Sequence, residues 1–319
     1  MSKERKGPSI VISDRETGLP YSKGLMASQV MVTGLAPARA YEVAEAIEEH
    51  LLDLGRSSIT TQELSELTAR VLAEVAGERY AKNYQRWREV EALDVPLVLL
   101  IGGSTGVGKS TLATQLAARL GIVRVVATDM VREVMRALFS RELMPTLYTS
   151  SFQADLALRE PPARVSDRLI VGFREQTAAV AVGVNAVLER AAVEGTSIIV
   201  EGAHVVPGFL DLERIGDRIL AVPVIISVED EEMHRGHLAV RGSEAASRPA
   251  LRYQQGFENI RRLQRYIKSQ ALSHGVPVIP NYNFDQALTA IIELVMERAT
   301  ERAAQTRSER ARGQKGRTA

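Results

Sequence analysis

The run Gly103-Ser-Thr-Gly-Val-Gly-Lys-Ser110 matches the pattern G-x-x-x-x-G-K-[ST] without a gap. Residues of those types in that order bind phosphate. The glycines let successive backbone N–H groups turn inward onto phosphate oxygens, and a helix N-terminus behind them adds its positive end. The lysine reaches the β- and γ-phosphates of a nucleotide, and the serine hydroxyl is placed for Mg²⁺. Gly103, Ser104, Thr105, Gly106, Val107, Gly108, Lys109, Ser110 and Thr111 are thus the candidate nucleotide-binding residues. Lys109 is also a candidate catalytic residue, a solvated charge until the nucleotide reaches it. ATP and Mg²⁺ are the expected cofactors.

A second group of residues suits an acceptor. Thr128-Asp129 follows an apolar stretch and precedes a helical one. A carboxylate there can accept a proton from an acceptor hydroxyl. An aspartate just before a helix also serves as an N-cap, and both roles stay open. Arg132 and Arg136 stand one helical turn apart, a spacing suited to an anionic substrate and equally to a solvated face. Glu201 closes the apolar run Ile198-Ile-Val-Glu and, with Ser110, is the candidate metal ligand, directly or through water. His204 reads either as a substrate contact or as a satisfied core histidine. Thr149, Ser150 and Ser151 add hydroxyl donors. Between His234 and Arg262 lie Arg235, Arg241, Arg248, Arg252, Arg261 and Arg262. Such a segment can fold as a lid over a transferring phosphate, with Arg241 the catalytic candidate and Arg248 and Arg252 the substrate-binding ones. A plain amphipathic surface is the alternative. His234-x-x-His237 has the spacing of a metal pair but lacks a third ligand nearby.

The elements that must hold these residues follow from hydrophobic periodicity. Leu97–Ile101, Val123–Ala127, Ser197–Val200, Val222–Val228 and Val276–Ile279 are short and apolar, separated by helical material. This pattern predicts an α/β domain over residues 94–297, a P-loop NTPase fold whose parallel five-stranded sheet is flanked by helices. One helix is predicted from Lys109 to Leu120 and another over Val131–Leu138. Residues 1–93 read as a small, mainly helical unit. It has a strand at Ile10–Ser13, helices over Ala38–Leu54 and Glu78–Glu91, and a capping box at Thr60 and Glu63 opening a helix to about Val75. Asp94-Val95-Pro96 marks the boundary.

Composition excludes several function classes. The chain has 319 residues, 45% hydrophobic and 25% charged, which is ordinary globular composition. It has no cysteine, so disulfide frameworks, thiolate zinc sites, iron–sulfur clusters and cysteine nucleophiles are out. The formal net charge of +1 gives no reason to expect nucleic-acid or membrane binding. Residues 298–319 are basic and lack large apolar side chains, and a solvated, disordered tail is expected there. The basic N-terminal stretch has no apolar run behind it, which points to a cytoplasmic protein.

The stretches IGGSTGVGKST, ATDMVREVMRALFSRELMPTLYTSSFQA, IIVEGAHVVPG, RPALRYQQGFENIRRLQRYI and GVPVIPN together resemble the 2-phosphoglycerate kinase family over most of Leu97–Ile292. The resemblance implies transfer of the ATP γ-phosphate to the 3-hydroxyl of 2-phosphoglycerate, a small anionic substrate. A related P-loop kinase acting on another phosphorylated metabolite or nucleoside, zeta-toxin-like enzymes included, is the first alternative. A non-catalytic nucleotide sensor is the second. The front segment, from about Ser9 to Arg88, is similar to an ATP-cone regulatory domain on Tyr21-Ser-Lys-Gly24 and Ile59-Thr-Thr61. Where such modules carry a basic pair, this chain has Ser13-Asp14-Arg15. A working sensor and a cone that keeps only its fold both fit that departure. A homo-oligomer formed through this domain is a further expectation.

Overall fold

The computed structural model describes residues 10–12, 18–158, 167–244 and 250–315, without the side chains of 241–244, 250 and 307–315. The chain divides into two compact units. One comprises residues 1–93, 118–121 and 299–319, the other residues 94–117 and 122–298.

The first unit is mainly helical. Its strands β1 (Val11–Ile12), β2 (Leu19–Pro20) and β3 (Ser58–Ile59) form a small sheet in the order β2-β1-β3. Around them lie α1 (Lys23–Val30), α2 (Pro37–Asp53), α3 (Thr61–Val71) and α4 (Glu78–Glu91). The capping box is present: Thr60 accepts from the Glu63 N–H, and Glu63 accepts from the Thr60 N–H. A wider turn over Leu72–Ala76 continues α3, which is why the sequence reads as one helix to Val75. Residues 13–17, with the departure at Ser13-Asp14-Arg15, lie outside the described residues. The core of this unit, from Ile10 to Tyr84, is built from its own side chains.

The second unit carries a five-stranded, all-parallel sheet in the order β5-β6-β4-β7-β8. The strands are β4 (Leu97–Gly102), β5 (Val125–Ala127), β6 (Ile198–Gly202), β7 (Leu220–Ser227) and β8 (Val278–Pro280). The strand β4 is buried along its whole length, as a central parallel strand covered on both faces must be. Each aliphatic side chain there contributes about 1.5–3 kcal/mol through burial. Flanking helices are α5 (Lys109–Leu120), α6 (Thr128–Leu138), α7 (Arg168–Glu194), α8 (Glu231–Glu244), α9 (Ala250–Gln255), α10 (Phe257–Ser273) and α11 (Phe284–Lys315). Apolar clusters, one that includes Val98, Val180 and Val200 and one that includes Phe173, Ile225 and Ile260, join α6 through α10 to the sheet.

Two expectations are corrected. The region from Arg298, expected as a disordered tail, continues α11 in helical conformation to Lys315. Ala, Glu, Gln and Arg dominate it, all strong helix formers, and no proline interrupts them. Helix α6 begins at Thr128 rather than Val131, and its N-cap is Ala127, without a side-chain cap. Asp129 is therefore the second residue of the helix and not its cap. Among the described residues, no helix is long and apolar enough to cross a membrane.

Because each unit has its own core, a chain starting at Asp94 is expected to unfold in one cooperative thermal transition with its helical signal retained. Circular dichroism melting checks this. A broad, non-cooperative melt would show that the second core needs the first unit.

Candidate active site

Strand register brings the chemistry together. Ala127, Glu201 and Ile101 lie in one row across β5, β6 and β4, and Gly102 is paired with Gly202 and Ile225. The carboxyl ends of these strands thus form one edge, from which the phosphate loop (residues 103–110) and α6 both depart. Ligands of open α/β sheets bind at this edge.

The loop is held by its carbonyls. Lys109 Nζ donates to the Ser104 carbonyl at 2.7 Å. His234 Nε2 lies 2.8 Å from the Thr105 carbonyl, and His237 Nδ1 lies 3.2 Å from that of Gly106. Asn281 Nδ2 donates to the Val107 carbonyl at 3.0 Å. A carbonyl can only accept, so each histidine nitrogen carries its proton there. Gly106 (φ +85°) and Gly108 (φ +89°) occupy left-handed backbone. A Cβ on them would come within 2.5 Å of Leu238 and Asn281, respectively. Lys109 is not the solvated charge expected: it is 6% exposed, folded onto its own loop.

Ser110 Oγ donates to Glu201 Oε1 at 2.9 Å, and Glu201 is only 7% exposed. Two hard oxygens, one anionic, suit Mg²⁺, which is held through one or two protein oxygens with substrate phosphates and water. Among the described residues no group of three or more metal-ligating side chains occurs. The His234–His237 pair is accounted for by the loop carbonyls.

At the start of α6, Asp129 is 3.6 Å from Arg132 Nε. Arg132 donates to the Thr149 carbonyl, which also accepts from Gln176 at 3.0 Å. Gln176 donates as well to the Thr146 carbonyl, so its Oε1 faces His204 Nε2, 3.0 Å away. His204 Nδ1 then accepts from the Thr128 hydroxyl at 3.0 Å. His204 is 1% exposed with both nitrogens engaged, so it orients Thr128 and Gln176 beneath the site. Burial pushes its imidazole down to about 4. The charges of Arg132 and Lys109 add to that shift, and Asp129 opposes it.

Other candidates are placed differently. Arg136 forms an ion pair with Glu133 at 2.7 Å and lies 4.8 Å over the Tyr148 ring. Arg252 donates to Gln153 Oε1 and Ser150 Oγ. Ser151 is buried. The side chain of Arg241, and Arg248 altogether, lie outside the described residues. Several arginines of the expected lid serve the fold: Arg261 donates to the carbonyls of Val228 and Glu229 at 2.6 and 2.8 Å. Arg262 pairs with Asp167 at 2.7 Å, and Arg235 lies 3.6 Å over the Phe257 ring. Sequence reasoning missed Gln176 and Asn281. For Asn281, its place directly after an apolar strand was the available signal.

No family model matches the chain. It is 41% identical over 283 residues to the 2-phosphoglycerate kinase of Methanothermobacter thermautotrophicus, covering 88% of this chain and 92% of that protein. It is 38% identical to the 2-phosphoglycerate kinase of Methanopyrus kandleri, covering 92% and 89%. Among solved structures, shikimate kinase from Acinetobacter baumannii in complex with shikimate aligns with 66% of this chain and 97% of its own. The identity is 15% and the TM-score 0.37, a likeness too low to build on.

The depressed His204 has a consequence for stability. In the unfolded chain its imidazole binds a proton near pH 6.5, in the folded chain only near 4. Stability is complete above about pH 6.5 and is lost as pH falls toward 4, because the unfolded state then binds more protons. The loss amounts to roughly 3 kcal/mol. Urea unfolding at pH 7 and pH 4.5 checks it: His204→Asn is expected to lose less stability over this range than the wild type. Equal losses contradict the assignment.

Proposed function

Because the chain belongs to the 2-phosphoglycerate kinase family, we propose that it transfers the γ-phosphate of ATP to the 3-hydroxyl of 2-phosphoglycerate, giving 2,3-bisphosphoglycerate and ADP. The observation that carries this reading is the Asp129–Arg132 pair on the same sheet edge as the phosphate loop. One side of the site suits a nucleotide, the other a hydroxylated anion.

In this reading the backbone N–H groups of the loop take the β- and γ-phosphate oxygens, and Lys109 turns from Ser104 to the same phosphates. Ser110 and Glu201 are the residues that would hold Mg²⁺, which when bound neutralises charge on the β- and γ-oxygens. Arg132 meets the acceptor's phosphate or carboxylate, with its guanidinium braced by Thr149. Asp129 holds the acceptor hydroxyl in line with the γ-phosphorus and accepts its proton as the new O–P bond forms. The bond from the γ-phosphorus to the β–γ bridging oxygen breaks, ADP leaves with that oxygen, and Asp129 returns the proton to water. Arg136, Ser150 and Arg252 are the further substrate-binding candidates, and Arg241, within α8, and Arg248, beyond it in sequence, are the arginines offered to the transferring phosphate. We further propose a cytoplasmic enzyme whose front unit is an ATP-cone-like regulatory domain.

Three experiments test this. A panel of phosphoglycerates, nucleosides and sugar phosphates is screened for acceptor-dependent ADP release. Release with 2-phosphoglycerate is expected; release with a nucleoside alone supports the alternative kinase, and no release with any acceptor supports a sensor. Asp129→Asn is expected to lower kcat about 10²–10⁴-fold, roughly 3–5.5 kcal/mol, with little change in ATP affinity. Lys109→Ala is expected to abolish turnover in a folded protein. Near-normal kcat in Asp129→Asn at saturating acceptor would sink the proton-accepting role.

A further inference from the structure

Ser104, Thr105, Gly106 and Val107 are consecutive, and each carbonyl accepts a bond from a different side chain. In a trans peptide the C=O and the next residue's N–H point in opposite directions. Fixing these four oxygens therefore fixes the N–H groups of Thr105, Gly106, Val107 and Gly108 on the opposite side, where phosphate oxygens bind. Lys109 belongs to the loop and is called away by the nucleotide. The other three bonds come from α8 and from the end of β8, and they stay.

We propose that His234, His237 and Asn281 are positioning residues of the phosphate site: they set the peptide planes of the loop so that its N–H groups converge on the nucleotide. The proposal rests on the nucleotide reading of the loop and is independent of which acceptor is used.

The supports of these three side chains fit that role. Asp230 Oδ1 accepts from the Met233 N–H at 2.7 Å and starts α8. His234 and His237 then face the loop one turn apart. His234 is buried against the edge of the Phe257 ring, and Arg261 Nη1 lies 3.4 Å from its Nδ1. An arginine can only donate, so Nδ1 is the acceptor and the ring is neutral, with its one proton on Nε2 aimed at Thr105. Burial, Arg261, His237 and Lys109 all hold this imidazole below its ordinary range, against the opposing pull of the Thr105 carbonyl. The Asn281 N–H donates to the Ser227 carbonyl at 2.8 Å, which anchors its backbone to β7.

The test is ADP binding by titration calorimetry on the full chain, with two substitutions at each histidine. His237→Leu removes the donor, and His237→Asn keeps one at the position of Nδ1. His234→Met and His234→Gln do the same for Nε2. Loss of one such bond is expected to raise the ADP Kd about tenfold, equivalent to 1.4 kcal/mol, in the Leu and Met variants. The Asn and Gln variants are expected within about threefold of wild type at matched melting temperature. A merely structural role would make donor-keeping and donor-lacking variants bind alike. If His234→Met fails to fold, the half-buried His237 pair decides. Wild-type affinity in folded His237→Leu, or equal weakening in His237→Leu and His237→Asn, overturns the proposal. Failure of the wild-type chain to bind ADP overturns the functional reading and this proposal with it.

Discussion

A phosphate loop must keep a row of backbone N–H groups pointing the same way, although their dipoles repel one another and glycine leaves the chain free to turn. In this protein the constraint is met from behind. The carbonyls from Ser104 to Val107 are occupied by Lys109, His234, His237 and Asn281, three of which lie more than 120 residues away in sequence. Much of the second unit can be read as the scaffold for those bonds. The strand β7 ends where Arg261 and the start of α8 can be fixed. β8 pairs with it so that Asn281 emerges beneath Gly108, where any Cβ would collide. The charge-stabilising work of such a site is done by groups oriented in advance, which need no reorganisation when the phosphate arrives.

The surroundings of Asp129 and Arg132 are arranged on the same logic by different means. Thr128, His204, Gln176 and the Thr149 carbonyl form a buried chain of hydrogen bonds in which every proton has one assignable place. Arg132 joins this chain at its end, so its guanidinium is aimed by bonds rather than left to sample solvent. Buried polar chains of this kind stabilise only when complete, and a second proton on His204, at Nδ1, would force the Thr128 hydroxyl to turn from donor to acceptor. Ser110 and Glu201 join the two halves, since Glu201 lies in register with both Ile101 and Ala127.

The residues that sequence alone exposed are those whose chemistry is local. The glycines and Lys109 are spaced by the loop itself, and Glu201 ends an apolar run that could only be an inner strand. The strands and the sheet type followed from apolar periodicity. What was not legible depended on distant partners. Asp129 suited an N-cap by residue type, but Thr128 is drawn into the helix because its hydroxyl serves His204 and packs on Gly202. The arginines between His234 and Arg262 looked like one functional set. Yet Arg261 holds carbonyls of Val228 and Glu229, and Arg235 covers an aromatic ring. His234 and His237 had metal-like spacing because i, i+3 residues share a helix face, and that face meets a backbone instead of an ion. The C-terminal region is basic and poor in large apolar side chains, which suits a disordered tail, yet its helix-forming residues govern its conformation to Lys315.

The protein itself orients the loop's amides. ¹⁵N relaxation of the Thr105, Gly106, Val107 and Gly108 amides, recorded without added nucleotide, tests this most directly. Order parameters of about 0.85, as in rigid backbone, are predicted, with little change on addition of ATP. Values below about 0.6 that rise only with ATP would mean that the nucleotide shapes the loop, and would contradict the account.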